Sequence, residues 1–97
     1  MLFAILALDK ADAAPLRAST RPEHIAHLEA HTAQLVEVGP LLDGTGNPCG
    51  SLLLIDMADR AAAEAFVATD PYAIAGVFES VTVRGYRPVF RGGSRLK

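Results

Sequence analysis

Two short apolar runs place the strongest limit on how this chain can fold. Residues 2–8 and 51–57 are rich in Leu, Ile, Phe and Ala, and each is bounded by charged or turn-forming residues. Runs of this length predict buried strands. In both runs, apolar side chains fall on the odd and the even positions, so both faces of each strand need cover. We therefore expect a sheet that is buried on two sides.

A helical pattern lies between these runs, at residues 20–39. Thr20 and Glu23 have the spacing of a capping box, and Gly39 is suited to end a helix. Pro22 would fall in the first turn, after a loop or a short helical turn at residues 11–19. One apolar stripe is predicted, formed by Ile25, Leu28, Leu35 and Val36. Three histidines lie along one flank of the stripe, at the border between core and solvent: His24, His27 and His31.

The second half of the chain repeats the sequence of strand, helix and strand. Asp59 is expected to cap a helix at residues 60–69, with its buried face formed by Ala62, Ala65, Phe66 and Thr69. A short strand is predicted at residues 41–43, followed by a turn at residues 44–50 before the second apolar run. A short helical turn is predicted between Asp70 and Gly76, because Asp70 precedes Pro71. From Ser80 onward, the pattern is that of a half-exposed strand with a bulge at Gly85.

The order of elements is strand, helix, strand, strand, helix, strand. This order predicts an α+β fold, a ferredoxin-like βαββαβ sandwich with an antiparallel sheet. Two helices shield only one face of such a sheet. We therefore expect a homodimer in which the second faces of two sheets pack together, with further association of dimers left open.

Composition narrows the functional classes. The 97 residues favour one domain, and a net charge of −2 gives no electrostatic reason to bind nucleic acid or an anionic membrane. The first run lacks the basic residues of a signal peptide and is too short to span a bilayer. Cys49 is the single cysteine and offers no internal disulfide. We expect a cytoplasmic protein whose folded domain covers residues 1–91, followed by a flexible basic tail at residues 92–97.

Several short motifs, in a fixed order, indicate a family. They are Asp9-Lys10-Ala11-Asp12, Arg17, Arg21-Pro22-Glu23-His24, Gly39-Pro40, Asp70-Pro71-Tyr72 and Gly76-Val77-Phe78-Glu79. Through them, residues 1–90 resemble the YciI-like proteins of the dimeric α/β-barrel superfamily. The resemblance implies a ferredoxin-like protomer, a dimeric α/β-barrel formed through the sheets, and a cleft with a His-Asp pair at His24 and Asp70. Some similar proteins act in the breakdown of substituted aromatic compounds, including dehydrochlorination.

The implied pair suits acid–base chemistry on a small molecule, of the lyase, dehydrochlorinase or isomerase type. A free imidazole titrates near neutral pH, and a carboxylate bonded to one ring nitrogen fixes the tautomer. We therefore interpret His24 as the catalytic acid or base and Asp70 as its partner. Four other side chains are candidates for substrate binding: Arg17 and Arg21 for an anionic or phenolate group, and Ser51 and Tyr72 for hydroxyl contacts.

Other interpretations remain open at this point. His24 can simply close a helical turn at the core edge, and Asp70 can serve only as an N-cap. His27 and His31, four residues apart, have a spacing that allows a shared metal ion, although no His-Glu-x-x-His pattern or cysteine cluster accompanies them. We predict neither a metal nor a cofactor. The main alternative function is a non-catalytic dimeric module that binds a small metabolite or belongs to a larger assembly.

Overall fold

A four-stranded antiparallel sheet forms the centre of the protein in a computed structural model that describes residues 1–97. In chain order, the main elements are β1 (Leu2–Asp9), α1 (Ala14–Glu29), β2 (Leu35–Leu42), β3 (Pro48–Asp56), α2 (Arg60–Ala68), α3 (Pro71–Ala75) and β4 (Phe78–Gly85). The strand order across the sheet is β2-β3-β1-β4. The predicted ferredoxin-like α+β fold is therefore confirmed.

The two faces of the sheet have different surroundings. The odd-numbered side chains of β1 and β3 face the helices and form a core in which Phe3, Ile5, Leu53 and Ile55 are almost fully buried. The even-numbered side chains lie on the opposite face, where Leu6, Leu8 and Leu52 are 40–43% exposed. The helices thus cover one of the two apolar faces that the sequence predicts.

Helix α1 begins and ends earlier than predicted. It starts at Ala14 with Pro15 in its first turn, and its N-cap, Ala13, makes no side-chain hydrogen bond. Residues 14–19, expected to belong to a loop or a short helical turn, are therefore the first part of the main helix, and Thr20 and Glu23 do not form a cap. Pro22 lies inside the helix, where it removes one backbone hydrogen bond. Because no polar residue caps the true start, the sequence carries only the weak signal of Pro15.

The end of the predicted helix is a strand. After Glu29, a single 3₁₀ turn at Thr32–Gln34 leads into β2. There Gly39 pairs with Leu52 of β3 and does not end a helix. Apolar residues at 35, 36 and 38 fit a helical or an extended pattern, and pairing with the long strand β3 decides between them. The following turn is also shorter than predicted, because β3 already includes Pro48–Gly50.

The predicted caps of the two later helices are confirmed. The Asp59 carboxylate accepts a hydrogen bond from the Ala62 N–H at the start of α2, and Asp70 caps α3. Gly76 ends α3 in the left-handed conformation, with φ of +84°. The buried face of α2 is formed by Ala63, Phe66 and Val67, so the predicted face was correct only at Phe66.

The last strand differs from its prediction in length and in the position of its irregularity. Strand β4 ends at Gly85, and the register shift in its pairing with β1 falls at Leu8 and Asp9. Two short strands follow, β5 (Phe90–Arg91) and β6 (Ser94–Arg95), which pair with each other.

The longest helix, α1, has 16 residues, and none of the helices is long and apolar enough to cross a membrane.

Candidate active site

His24 and Asp70 are in contact where α1 packs against the start of α3. The His24 Nδ1 atom lies 2.9 and 3.0 Å from the two carboxylate oxygens of Asp70. His24 is 6% exposed and Asp70 is fully buried. Because a carboxylate only accepts hydrogen bonds, Nδ1 must donate its proton. Asp70 also accepts from the Tyr72 N–H at 2.9 Å, so the same carboxylate caps α3 and orients the imidazole.

The second ring nitrogen of His24, Nε2, makes no hydrogen bond to the protein and is not enclosed. His24 lines a cavity of about 480 Å³ between α1, the β2–β3 hairpin and α3. A cavity of this size suits a small ring compound. Its wall combines apolar and polar side chains, and the polar ones are Arg17, Arg21, His24, Asp43, Asn47, Ser51 and Tyr72.

Tyr72 fixes the plane of the His24 imidazole. The two rings are stacked, with centroids 4.0 Å apart and an angle of 17° between the planes. The Tyr72 hydroxyl has no hydrogen-bond partner within the protein and lines the same cavity. Burial raises the pKa of the Tyr72 phenol, an effect that the nearby Arg17 guanidinium partly offsets. The phenol is therefore protonated at neutral pH and available as a hydrogen-bond donor.

The two candidate arginines differ in their surroundings. Arg17 is buried, and its Nη1 atom lies 2.9 and 3.0 Å from the carboxylate oxygens of Asp9. Its Nη2 atom donates to the Ser51 hydroxyl at 2.7 Å. Arg21 is exposed at the cavity wall and makes no hydrogen bond or ion pair with the rest of the chain. Arg21 is thus the arginine with its donors free.

Asp9 was missed as a site residue by sequence reasoning. The sequence placed it at the end of the first apolar run and in a family motif, without a role in the site, although its side chain is 5% exposed and pairs with Arg17. An acidic residue at the end of an apolar strand, a short distance before a helix containing arginine, was the available signal. The connection between Asp9 and Arg17 depends on the long helix starting at Ala14, where the sequence predicted a loop or a short helical turn.

The turn between β2 and β3 contributes two further residues that sequence reasoning did not assign to the site. Asp43 and Asn47 line the cavity. The Asp43 carboxylate accepts hydrogen bonds from the Thr45 hydroxyl, the Thr45 N–H and the Asn47 N–H, at 2.7, 2.9 and 3.1 Å. These bonds, led by that from the Thr45 side chain, lower the pKa of Asp43. They also hold the turn beside the cavity.

His27 and His31 form a separate cluster with Phe66, at the border between core and solvent. Both are half-buried, with ring centroids 4.8 Å apart, because α2 packs over them through Phe66. The His31 Nδ1–H donates to the His27 carbonyl oxygen at 2.8 Å. The His27 Nε2 atom is buried without a partner, and burial lowers the pKa of His27. No three side chains of the metal-binding types come together here or elsewhere.

Comparison with known proteins identifies the family. Residues 1–87 match the YCII-related domain. The chain belongs to the YCII-related family. Protein YciI from Escherichia coli and Protein YciI from Shigella flexneri are each 37% identical to it over 98 residues, covering 93% of this chain and 100% of theirs. The resemblance to YciI-like proteins that the short motifs indicated is therefore confirmed.

Solved structures share the fold of this chain. This YCII-related chain is similar to 5-chloro-2-hydroxyhydroquinone dehydrochlorinase (TftG) from Burkholderia phenoliruptrix, which was solved in complex with 2,5-dihydroxybenzoquinone. The TM-score is 0.85 and the identity 30%, over 90% of this chain and 94% of that one. Protein Atu4242 from Agrobacterium tumefaciens has the same fold, with a TM-score of 0.55 and 18% identity over 91% and 93% of the two chains.

Proposed function

We propose that this YCII-related protein is a small-molecule enzyme that uses His24 and Asp70 for general acid–base chemistry on a hydroxylated ring or an enol. The observation that carries the proposal is the His24 imidazole itself: Asp70 holds one nitrogen, and the other is free beside a cavity. A base whose orientation is fixed and whose reactive atom is accessible is the arrangement that proton transfer needs. The similarity to a dehydrochlorinase at 30% identity favours this chemistry.

In the proposed reaction, His24 Nε2 removes a proton from a substrate hydroxyl or from a carbon next to a carbonyl group. The Nδ1–H bond to Asp70 stabilises the positive charge that the imidazole then carries. In a dehydrochlorination, the substrate loses that proton to His24, and chloride leaves with the electron pair of the carbon–chlorine bond. In an isomerisation, the same nitrogen returns the proton to a different substrate atom.

The other cavity residues would select an oxygen-rich substrate. Arg21 has free donors and is suited to an anionic oxygen such as a phenolate. The Tyr72 hydroxyl and the Ser51 hydroxyl would donate to further oxygens. Arg17 is assigned a different role from the one first suggested, because Asp9 and Ser51 already engage two of its nitrogens. The apolar part of the wall would contact the faces of the ring.

We also propose that the working unit is a cytoplasmic homodimer formed through the open face of the sheet. That face carries the half-exposed side chains of Leu6, Leu8 and Leu52, and contiguous apolar surface of this kind favours association. Leu52→Lys is expected to give a monomer in sedimentation velocity. Leu16→Lys, at a similarly exposed leucine on α1, is the matched control and should leave the dimer intact. A parent protein that sediments as a monomer would contradict this assembly.

Chloride release from 5-chloro-2-hydroxyhydroquinone tests the proposed reaction. The parent protein should release chloride, and His24→Gln should lower kcat by about 10²–10⁴-fold, the usual contribution of a positioned acid or base. His31→Gln changes a half-buried histidine outside the cavity and should behave like the parent. Arg21→Gln should mainly weaken binding of 2,5-dihydroxybenzoquinone, measured by calorimetry. If the parent binds the quinone but converts no chlorinated or enolic substrate, the protein is a metabolite-binding module.

A further inference from the structure

The end of β1 carries a buried acid that the proposed reaction does not use. The Asp9 side chain is 5% exposed, and both of its carboxylate oxygens lie within 3.0 Å of the same Arg17 nitrogen. A buried ion pair contributes less to stability than its short distances suggest, because both charges lose their hydration. Its geometry, however, is well defined. The position of the pair beside the cavity indicates a role in orienting the site.

A continuous series of contacts connects Asp9 with the imidazole. Asp9 holds the Arg17 guanidinium, which also donates to Ser51 in β3. The guanidinium carbon lies 4.5 Å from the centre of the Tyr72 ring. Tyr72 in turn stacks on His24 at 4.0 Å. Arg17, Tyr72 and His24 thus contact one another in series, and the two ends of the series are held by two buried carboxylates.

Each contact restricts a different movement of the His24 imidazole ring. The bonds to Asp70 fix the position of Nδ1, but they allow the ring to tilt about the line between the two residues. The face of Tyr72 blocks that tilt. Tyr72 can do so only while it is held in place itself, and Arg17 covers part of its ring. Arg17 is fixed by its bonds to Asp9 and Ser51.

We infer that Asp9 is a positioning residue, which holds Arg17 against Tyr72 so that His24 keeps Nε2 directed into the cavity. This inference deepens the proposed acid–base function and rests on it. Asp9 acts through the other members of the series and does not touch the substrate. It also neutralises Arg17, which leaves Arg21 as the cation available to an anionic substrate.

The His24 resonances in a proton NMR spectrum give the most direct test. A ring stacked on Tyr72 has its carbon-bound protons shifted upfield, and His24→Gln identifies these signals among those of the three histidines. In Asp9→Asn, the His24 signals should move downfield, because the Tyr72 ring is no longer held. With 5-chloro-2-hydroxyhydroquinone, kcat should fall by about 10- to 100-fold, whereas KM should change by less than about threefold.

Two further variants separate positioning from simple stabilisation. Asp9→Glu keeps the carboxylate and should restore most of kcat and the His24 shifts. Asp59→Ala removes a different carboxylate, the N-cap of α2. It should lower stability but leave kcat and the His24 chemical shifts at the parent values. Should Asp9→Asn fail to fold, Arg17→Lys replaces it, because a lysine keeps the charge opposite Asp9 but has no flat group to cover Tyr72. The same downfield movement is expected there.

The outcomes distinguish this inference from the proposed reaction. Unchanged His24 signals and unchanged kcat in Asp9→Asn, or in Arg17→Lys if that variant replaces it, would overturn the positioning role while leaving the acid–base function in place. If the parent releases no chloride but the His24 signals still move when Asp9 is replaced, the proposed reaction fails and the positioning of His24 by Asp9 stands.

Discussion

Replacing Asp70 separates its two structural contributions from its proposed chemical one. The Asp70 carboxylate caps α3 through the Tyr72 N–H and accepts the His24 Nδ1 proton. Asp70→Ala removes both bonds. Loss of the cap costs about 1 kcal/mol, and the buried donor on His24 left without an acceptor costs about 1–3 kcal/mol. The free energy of unfolding should therefore fall by about 2–4 kcal/mol, a large share of the stability of a small domain.

Asp70→Asn should lower turnover strongly while changing the free energy of unfolding only a little. The same oxygen, Oδ1, lies 2.9 Å from both the Tyr72 nitrogen and His24 Nδ1, so one amide oxygen is able to accept both bonds. The variant loses mainly the negative charge, and its stability should fall by only about 1 kcal/mol. The charge is what stabilises a protonated imidazole. Turnover should therefore drop by about tenfold or more, although the protein remains folded.

Urea denaturation and chloride release, measured on both variants, check this separation. Asp70→Ser serves as the control for capping, because serine is a good N-cap but too short to reach His24. It should recover about 1 kcal/mol relative to Asp70→Ala and remain as inactive. The reasoning is refuted if Asp70→Asn turns over substrate as fast as the parent, since Asp70 would then be a helix cap alone.

Two further predictions concern stability and need no substrate. Gly50→Ala should destabilise the fold by at least about 2 kcal/mol, because its Cβ would lie 2.5 Å from the Ala7 carbonyl oxygen in β1. Gly44→Ala is the control and should be nearly neutral, because nothing lies within 4 Å of its Cβ. Equal urea midpoints for the two variants would contradict this prediction. Burial lowers the pKa of His27 in the folded state, so the unfolded chain binds that proton more readily and stability should fall as the pH drops below about 6.5. His27→Phe should reduce this dependence between pH 7.5 and 5.5, and an unchanged slope would refute the assignment.

Local chemistry made several elements predictable from the sequence. The continuous apolar run at residues 2–8 placed them in a strand with two apolar faces, and the structure has one face on the helices and one open. Asp59 and Asp70 were recognised as caps because short acidic side chains before a helix satisfy its free N–H groups. Gly76 was recognised as a helix end because glycine readily adopts a positive φ.

Features that depend on tertiary contacts were not predictable in this way. Helix α1 starts without a polar cap, so its first two turns resembled a loop. The apolar pattern of residues 35–38 fits both the period of a helix and that of a strand, and only pairing with β3 makes them a strand. Asp9 and Ser51 come together through Arg17, although 42 positions separate them in the chain. The proximity of His24 to Asp70 was expected from family resemblance, because no spacing rule connects residues 46 positions apart.

Chemical rescue of a variant that lacks the imidazole tests the central claim most directly. His24→Gly leaves a space beside Asp70 and Tyr72 in which free imidazole can take the place of the missing ring. If His24 is the acid or base, the variant should release chloride from 5-chloro-2-hydroxyhydroquinone far more slowly than the parent, and added imidazole should restore the rate in proportion to its concentration. A His24→Gly variant that releases chloride at the parent rate without imidazole would contradict the assignment.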